Sequence, residues 1–286
     1  MAFIEKLMLV GSKARLNFRS DLDFLCFKGL SISDRCRYLV RKYLALLTLR
    51  HHIFYLGSVL HYDNFWTPAL LQHYPSEINR LSKIVPLAEL RTVLDVGANL
   101  GQFAITLKRF FPQLEVSSFE PNQAIFSLLQ ANANAVSGWR VFPYAVGAQD
   151  ETLALHYVPG KSCQGSFFQK NAALGLLRSE VVRTEVVVKN LSADFLRVCD
   201  LPQKFDLVKI DVEGAERSVL AGLTGVKWKY LYIECSSGRE GSISEEEVVA
   251  ILTQSNGMSV EVLDRTVPRK GEQTYDLVLV NRSFAT

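Results

Sequence analysis

Val93-Leu94-Asp95-Val96-Gly97-Ala98-Asn99-Leu100-Gly101 is an apolar run that closes on two glycines. A strand ending in a tight turn at Gly97, with a helix opening at Gly101 and packing back on that strand, is the conformation this order of residues predicts. Backbone N–H groups in such a turn face a ligand at the start of the helix. The pattern is D-x-G-x-x-x-G, with Ala98 and Asn99 where a dinucleotide fingerprint places its middle glycine. That glycine lets the backbone approach a pyrophosphate, so its absence favours a ligand without one.

The same texture extends outward from Arg91. Strand patterns recur at Thr92 to Val96, Glu115 to Phe119, Arg140 to Tyr144, Phe205 to Ile210, Tyr230 to Glu234, Ser259 to Leu263 and Tyr275 to Val280. Helical patterns fall between them near 101–110, 122–136, 191–199, 214–222 and 244–254. Alternation of this kind predicts an α/β domain over residues 91–286, with a mostly parallel sheet covered on both faces. The last two strand patterns are joined by a polar segment with no long helix, which predicts a seven-stranded Rossmann-like sheet with an antiparallel last strand. Thr152 to Val158 and Glu185 to Lys189 read as extra strands around a polar loop at 160–165, placed either to shape a pocket or to form a plain hairpin.

Residues 1–90 read as a mainly helical, basic extension. Ten basic residues against four acidic ones give the first fifty residues a net +6, leaving −3 for the remainder of a chain whose total is +3. Ser33 to Arg50 sets Tyr38, Leu39, Tyr43, Leu46, Leu47 and Leu49 among Arg and Lys at helical spacing, with Ser33 as the expected N-cap. Ile53 to Leu60 reads as one strand, and a further helix is expected before Pro86. The basic segment suits either a solvated helical face or peripheral contact with an anionic membrane. The total charge is too small to argue for a nucleic-acid partner. The five cysteines lack any C-x-x-C spacing, so neither a zinc site nor a disulfide framework is expected, and a cytoplasmic setting fits best.

Acidic residues end two of the strand patterns. Ser118-Phe119-Glu120-Pro121 places Glu120 where it can accept both hydroxyls of a ribose, while Asp95 is suited to orienting the turn or meeting an ammonium group. Lys209-Ile210-Asp211-Val212-Glu213-Gly214-Ala215-Glu216 directs Asp211 and Glu213 into the crevice that Gly97 faces. Those carboxylates can take a proton from a hydroxyl, hold sugar hydroxyls or bind a metal. Glu216 reads as a charge favourable to the helix dipole. His156 is the last histidine in the chain and reads as a packed or surface residue rather than a base.

Residues 93–101, Phe119-Glu120-Pro121-Asn122, Asn132, Ala145-Val146-Gly147 and residues 209–216 together resemble the FkbM family of methyltransferases. The resemblance implies S-adenosylmethionine as cofactor and methylation of a hydroxyl on a glycan, a lipid-linked sugar or a polyketide-like small metabolite. It implies that Asp95, Gly97, Asn99, Gly101 and Glu120 bind the cofactor, with Ala145 and Val146 against the adenine. Proton removal by Asp211 or Glu213 is the expected catalysis, ahead of a divalent metal bridging Asp211, Glu213 and Glu234. The same turn and acid also suit a nicotinamide-dependent oxidoreductase. A relative that holds cofactor without turnover is the third reading.

Overall fold

The computed structural model describes residues 21–22, 24–27, 29–48, 50–63, 67, 71–159, 165–172, 181–236, 240–267 and 274–284. The basic residues Lys6, Lys13, Arg15, Arg19 and Lys28, and the loop expected at 160–164, lie outside them. Among the described residues, α1 (Ile32–Thr48) is followed by β1 (His52–Tyr55), β2 (Ser58–His61) and α2 (Tyr74–Ile84). Next come β3 (Thr92–Val96), α3 (Gln102–Phe110), β4 (Glu115–Phe119), α4 (Gln123–Asn134), β5 (Trp139–Phe142) and β6 (Ala145–Val146). Then follow β7 (Glu151–Tyr157), α5 (Gln169–Ala172), β8 (Val182–Lys189), α6 (Ala193–Val198), β9 (Lys204–Ile210) and α7 (Glu216–Gly222). The described chain closes with β10 (Lys227–Ser236), α8 (Glu245–Ala250), β11 (Val260–Arg265) and β12 (Thr274–Asn281).

Seven strands form one sheet in the order β11-β12-β10-β9-β3-β4-β5. Pairing is parallel from β5 to β10, and β12 runs antiparallel to both β10 and β11. The mostly parallel sheet with one antiparallel strand is the arrangement the sequence predicts. Alternate residues of a strand point to opposite faces, so Val93 and Leu207 enter one core while Leu94, Val96, Val208 and Ile210 enter the other. Both faces are therefore covered, which explains the near-continuous apolar reading of β3 and β9. Strands β4 and β5 extend to one side of β3, and β9 and β10 to the other. The crevice at the carboxyl ends of β3 and β9 is therefore the topological switch point. The extra strands form a small separate sheet, β6-β8-β7, in which β7 and β8 are antiparallel.

The segment before residue 91 packs into the same core as the sheet, since Tyr38, Ile53, Tyr55, Leu60, Ile78 and Leu81 share a cluster with Val93, Phe103 and Leu107. The buried Tyr55 hydroxyl donates to the Leu71 carbonyl at 2.9 Å and lies 2.9 Å from the Thr106 hydroxyl. Asn132, fully buried on α4, ties β2 to the turn after β3. Its Oδ1 accepts from His61 N at 2.7 Å, and its Nδ2 donates to the carbonyls of His61 (3.1 Å) and Leu100 (2.8 Å).

Three local expectations change. Residues 53–60 form a hairpin rather than one strand, because Leu56 and Gly57 both take positive φ and reverse the chain. The cap of α1 is Ser31, whose Oγ accepts from Asp34 N at 3.1 Å, in place of Ser33. The buried face of α1 is Arg35, Tyr38, Lys42 and Ala45, whereas Tyr43 and Leu47 are exposed. Lys42 tolerates burial by pairing with Asp21 at 2.5 Å and donating to Gln72 at 3.1 Å.

Candidate active site

A crevice sits at the switch point, lined by Gly97, Ala98, Asn99, Phe119, Glu120, Tyr144, Ala145, Val146, Phe167, Asp211 and Glu213 among others. Its floor is two strand-to-helix turns pressed together. Asp211 N donates to Val96 O at 3.1 Å, and a Cβ on Gly97, whose φ is +82°, would stand 1.8 Å from the Asp211 carbonyl oxygen. Only glycine fits there, which is a stronger demand than the turn alone makes. Gly101 serves packing, because a Cβ on it would meet the Trp139 ring at 2.2 Å.

Glu120 closes one end of the crevice. Its Oε2 accepts from Asn99 N at 3.0 Å and its Oε1 from Asn122 N at 2.9 Å, leaving each oxygen a further lone pair. Burial pushes its carboxyl up to about 7, against the lowering effect of the Asn122 and Asn99 N–H groups. Asn99 takes φ +52°, and its buried Oδ1 has no hydrogen-bond partner among the described residues. A carboxylate with spare acceptor sites, an orphaned buried amide oxygen and an apolar wall of Phe119, Ala145 and Val146 fit a nucleoside with its ribose at Glu120.

Asp95 and Gly101 do not line this crevice. Asp95 is wholly buried, accepts from the Ser118 hydroxyl at 3.0 Å and lies 3.5 Å from Lys209 Nζ, so it braces the turn from beneath. Lys209 is the residue whose role the sequence did not disclose. Its ammonium bridges Asp95 and Asp211 (3.2 Å) and sits 5.4 Å from the centre of the Phe103 ring. Burial alone would lower its pKa, but Asp211 and Asp95 outweigh that and hold it above the usual lysine range.

Asp211 and Glu213 both face the crevice. Glu213 has φ +56°, and the inserted segment after β7 holds it there. The Ser166 hydroxyl donates to the Glu213 carbonyl at 2.7 Å, and Asn171 Nδ2 donates to it at 3.3 Å. Asn171 also donates to Glu240 O at 2.9 Å and accepts from Glu240 N at 3.0 Å, so the insertion joins two loops beside the site. Glu216 is buried at the first position of α7 and accepts from Gly214 N at 2.9 Å, which ties down the turn before the helix. Asp211, Glu213 and Glu234 can each place a carboxylate oxygen within 4.8 Å of the others.

A second, polar chamber adjoins the first and shares Tyr74, Lys209 and Asp211 with it. Glu77 from α2, Tyr232 and Glu234 from β10 and Asp276 from β12 complete its walls. The Tyr232 hydroxyl donates to Glu77 at 2.9 Å. Burial, followed by the nearby Asp276, raises the Glu77 carboxyl to about 7. Tyr74, Glu77 and Asp276 carry no motif that sequence reasoning could detect; only the fold brings them to residues 209–213.

Strand order and switch-point crevice together define the Rossmann-like methyltransferase plan. The model of the methyltransferase FkbM domain matches residues 95–257, and the chain belongs to that family. Methyltransferase 1 of Beauveria bassiana is 33% identical over 164 residues, covering 53% of this chain and 66% of that protein. The 31-O-demethyl-FK506 methyltransferase FkbM of Streptomyces tacrolimicus is 28% identical, covering 59% and 72%. The hexuronic acid methyltransferase AglP of Haloferax volcanii is 27% identical, covering 59% and 63%. The chain thus spans about two thirds of the length of these relatives.

Proposed function

We propose that the protein is an S-adenosylmethionine-dependent methyltransferase acting on a hydroxyl of a glycan, a lipid-linked sugar or a small metabolite. The observation that carries this reading is the union of two chambers at Asp211, one suited to a nucleoside and the other lined by groups that hold hydroxyls. Relatives named for a hexuronic acid and for 31-O-demethyl-FK506 support the acceptor class. S-adenosylmethionine supplies an electrophilic methyl group. The chain's own residues do the rest. Glu120 accepts the ribose hydroxyls, Asn99 offers its free Oδ1, and Ala145 and Val146 cover the base. Tyr74, Glu77, Glu234 and Asp276 hold the acceptor, and Asp211 or Glu213 takes the hydroxyl proton as the new C–O bond forms.

The convergence of Asp211, Glu213 and Glu234 favours a second reading, in which these residues hold a divalent cation that acidifies the hydroxyl. Labelled methyl transfer into fractionated extracts of the source organism tests the activity and separates the two mechanisms. Asp211→Asn and Glu213→Gln are each expected to keep cofactor affinity within a few-fold while lowering kcat by about 10²–10⁴. Full activity in both variants would remove the carboxylates from catalysis. Loss of activity with EDTA and its return with Mg²⁺ or Mn²⁺ would select the cation reading.

A further inference from the structure

The side of α1 that faces away from the core is not the polar surface its arginines suggest. Ile32, Val40, Leu44 and Leu47 are 66%, 59%, 54% and 73% exposed, and Tyr43 and the Cys36 thiol are exposed beside them. At about 100° per residue these six positions fall on one arc of about 120°, opposite the buried face. Arg37 and Arg41 follow along a single border of that arc. The Arg41 guanidinium lies over the Phe54 ring, 4.5 Å from its centre, which carries the apolar surface onto the β1–β2 hairpin. There Phe54 and its cross-strand partner Val59 are both exposed.

We propose that this face of α1, with Phe54 and Val59, is a peripheral binding surface for an anionic lipid bilayer, with the helix lying in the plane of the membrane. Charge decides between a lipid surface and a second copy of the chain. Asp34, half-buried in the first turn, is the single acid on α1; none occurs from Arg35 to Tyr62, and Arg37, Arg41 and Arg50 are exposed, so a second copy on the same stripe would set arginine against arginine with little counter-charge. Anionic headgroups neutralise those side chains while the apolar arc enters the acyl boundary. Lys42 takes no part, being buried on Asp21. No helix among the described residues is long and apolar enough to cross a membrane, so the contact is interfacial. The inference stands apart from the transfer chemistry.

The test is sedimentation of the full chain with phosphatidylcholine vesicles, with and without phosphatidylserine, at low and high salt. The expected result is binding to phosphatidylserine-containing vesicles that weakens as salt rises. Arg37→Gln with Arg41→Gln should weaken it about 25-fold, near fivefold for each charge. Leu44→Glu with Leu47→Glu should abolish it. S-adenosylhomocysteine titration of each variant verifies that the crevice, remote from these positions in sequence, is intact. No binding by the unaltered chain, or equal binding to both vesicles, would overturn the proposal. So would light scattering that shows a dimer broken by the leucine substitutions while vesicle binding persists, since the stripe would then be an interface between copies.

Discussion

Glu120→Gln is the substitution whose effect the geometry defines most closely. Both carboxylate oxygens already accept a backbone N–H, one from Asn99 and one from Asn122. A glutamine amide has only one oxygen. Whichever way it is turned, its NH₂ group faces a backbone N–H, so one hydrogen bond is lost and two donors oppose each other. The ribose also loses one of its two acceptors. A hydrogen bond to a charged group contributes about 1.5–3 kcal/mol, so S-adenosylhomocysteine affinity should fall about 10- to 150-fold. The pH dependence follows from the same carboxyl, raised to about 7 by burial. Below that pH the group is protonated and cannot accept both hydroxyls, so affinity should drop about tenfold per unit as pH falls further. Isothermal titration across pH 5 to 8 measures both effects. A dissociation constant unchanged by Glu120→Gln, with the same pH profile as the parent, would refute the ribose assignment.

The remaining expectations concern the two turns and the buried acids. Gly97→Ala adds a Cβ at a positive φ against the Asp211 carbonyl oxygen, so it should destabilise the fold by at least about 2 kcal/mol in urea unfolding and abolish cofactor binding. Glu77 and Glu120 are both raised to about 7, above their unfolded range near 4.5. The folded apoprotein therefore holds more protons than the unfolded chain between those values, and its urea midpoint should decline as pH rises from about 5 to about 7. Glu120→Gln should make that decline shallower, and an unfolding midpoint that rises over the same range would contradict the buried, uncharged state of these acids.

Much of the fold was legible because β3 and β9 are apolar on both faces and end in glycine and acid, a pattern that admits few alternatives to a covered parallel sheet. Glu120, Asn99, Ala145 and Val146 could be placed because a local motif puts each at the edge of the switch-point crevice. What stayed hidden depends on distant pairing. Asp95 reads as a ligand-facing acid at a strand tip, but its role as a buried brace is visible only with Ser118 and Lys209 beside it. The hairpin at 53–60 was concealed because its turn is Leu56-Gly57, with a leucine where polar residues usually signal reversal. The outward apolar face of α1 misled for a related reason. Periodicity shows that a helix has an apolar stripe, not whether the protein or something else covers it.

The chamber beside Asp211 has walls of two origins. Lys209, Asp211 and Glu234 lie within the family's matched span of residues 95–257, whereas Tyr74, Glu77 and Asp276 lie outside it. A chamber so divided can diverge one half at a time. On the acceptor assignment proposed above, exchange of the flanking segments would change which acceptor is admitted while the transfer machinery beneath stays intact, giving a lineage new substrates without reinventing the reaction. Swapping α2 and β12 between relatives, rather than editing the motifs they share, would be the route by which selection or an engineer retargets the enzyme.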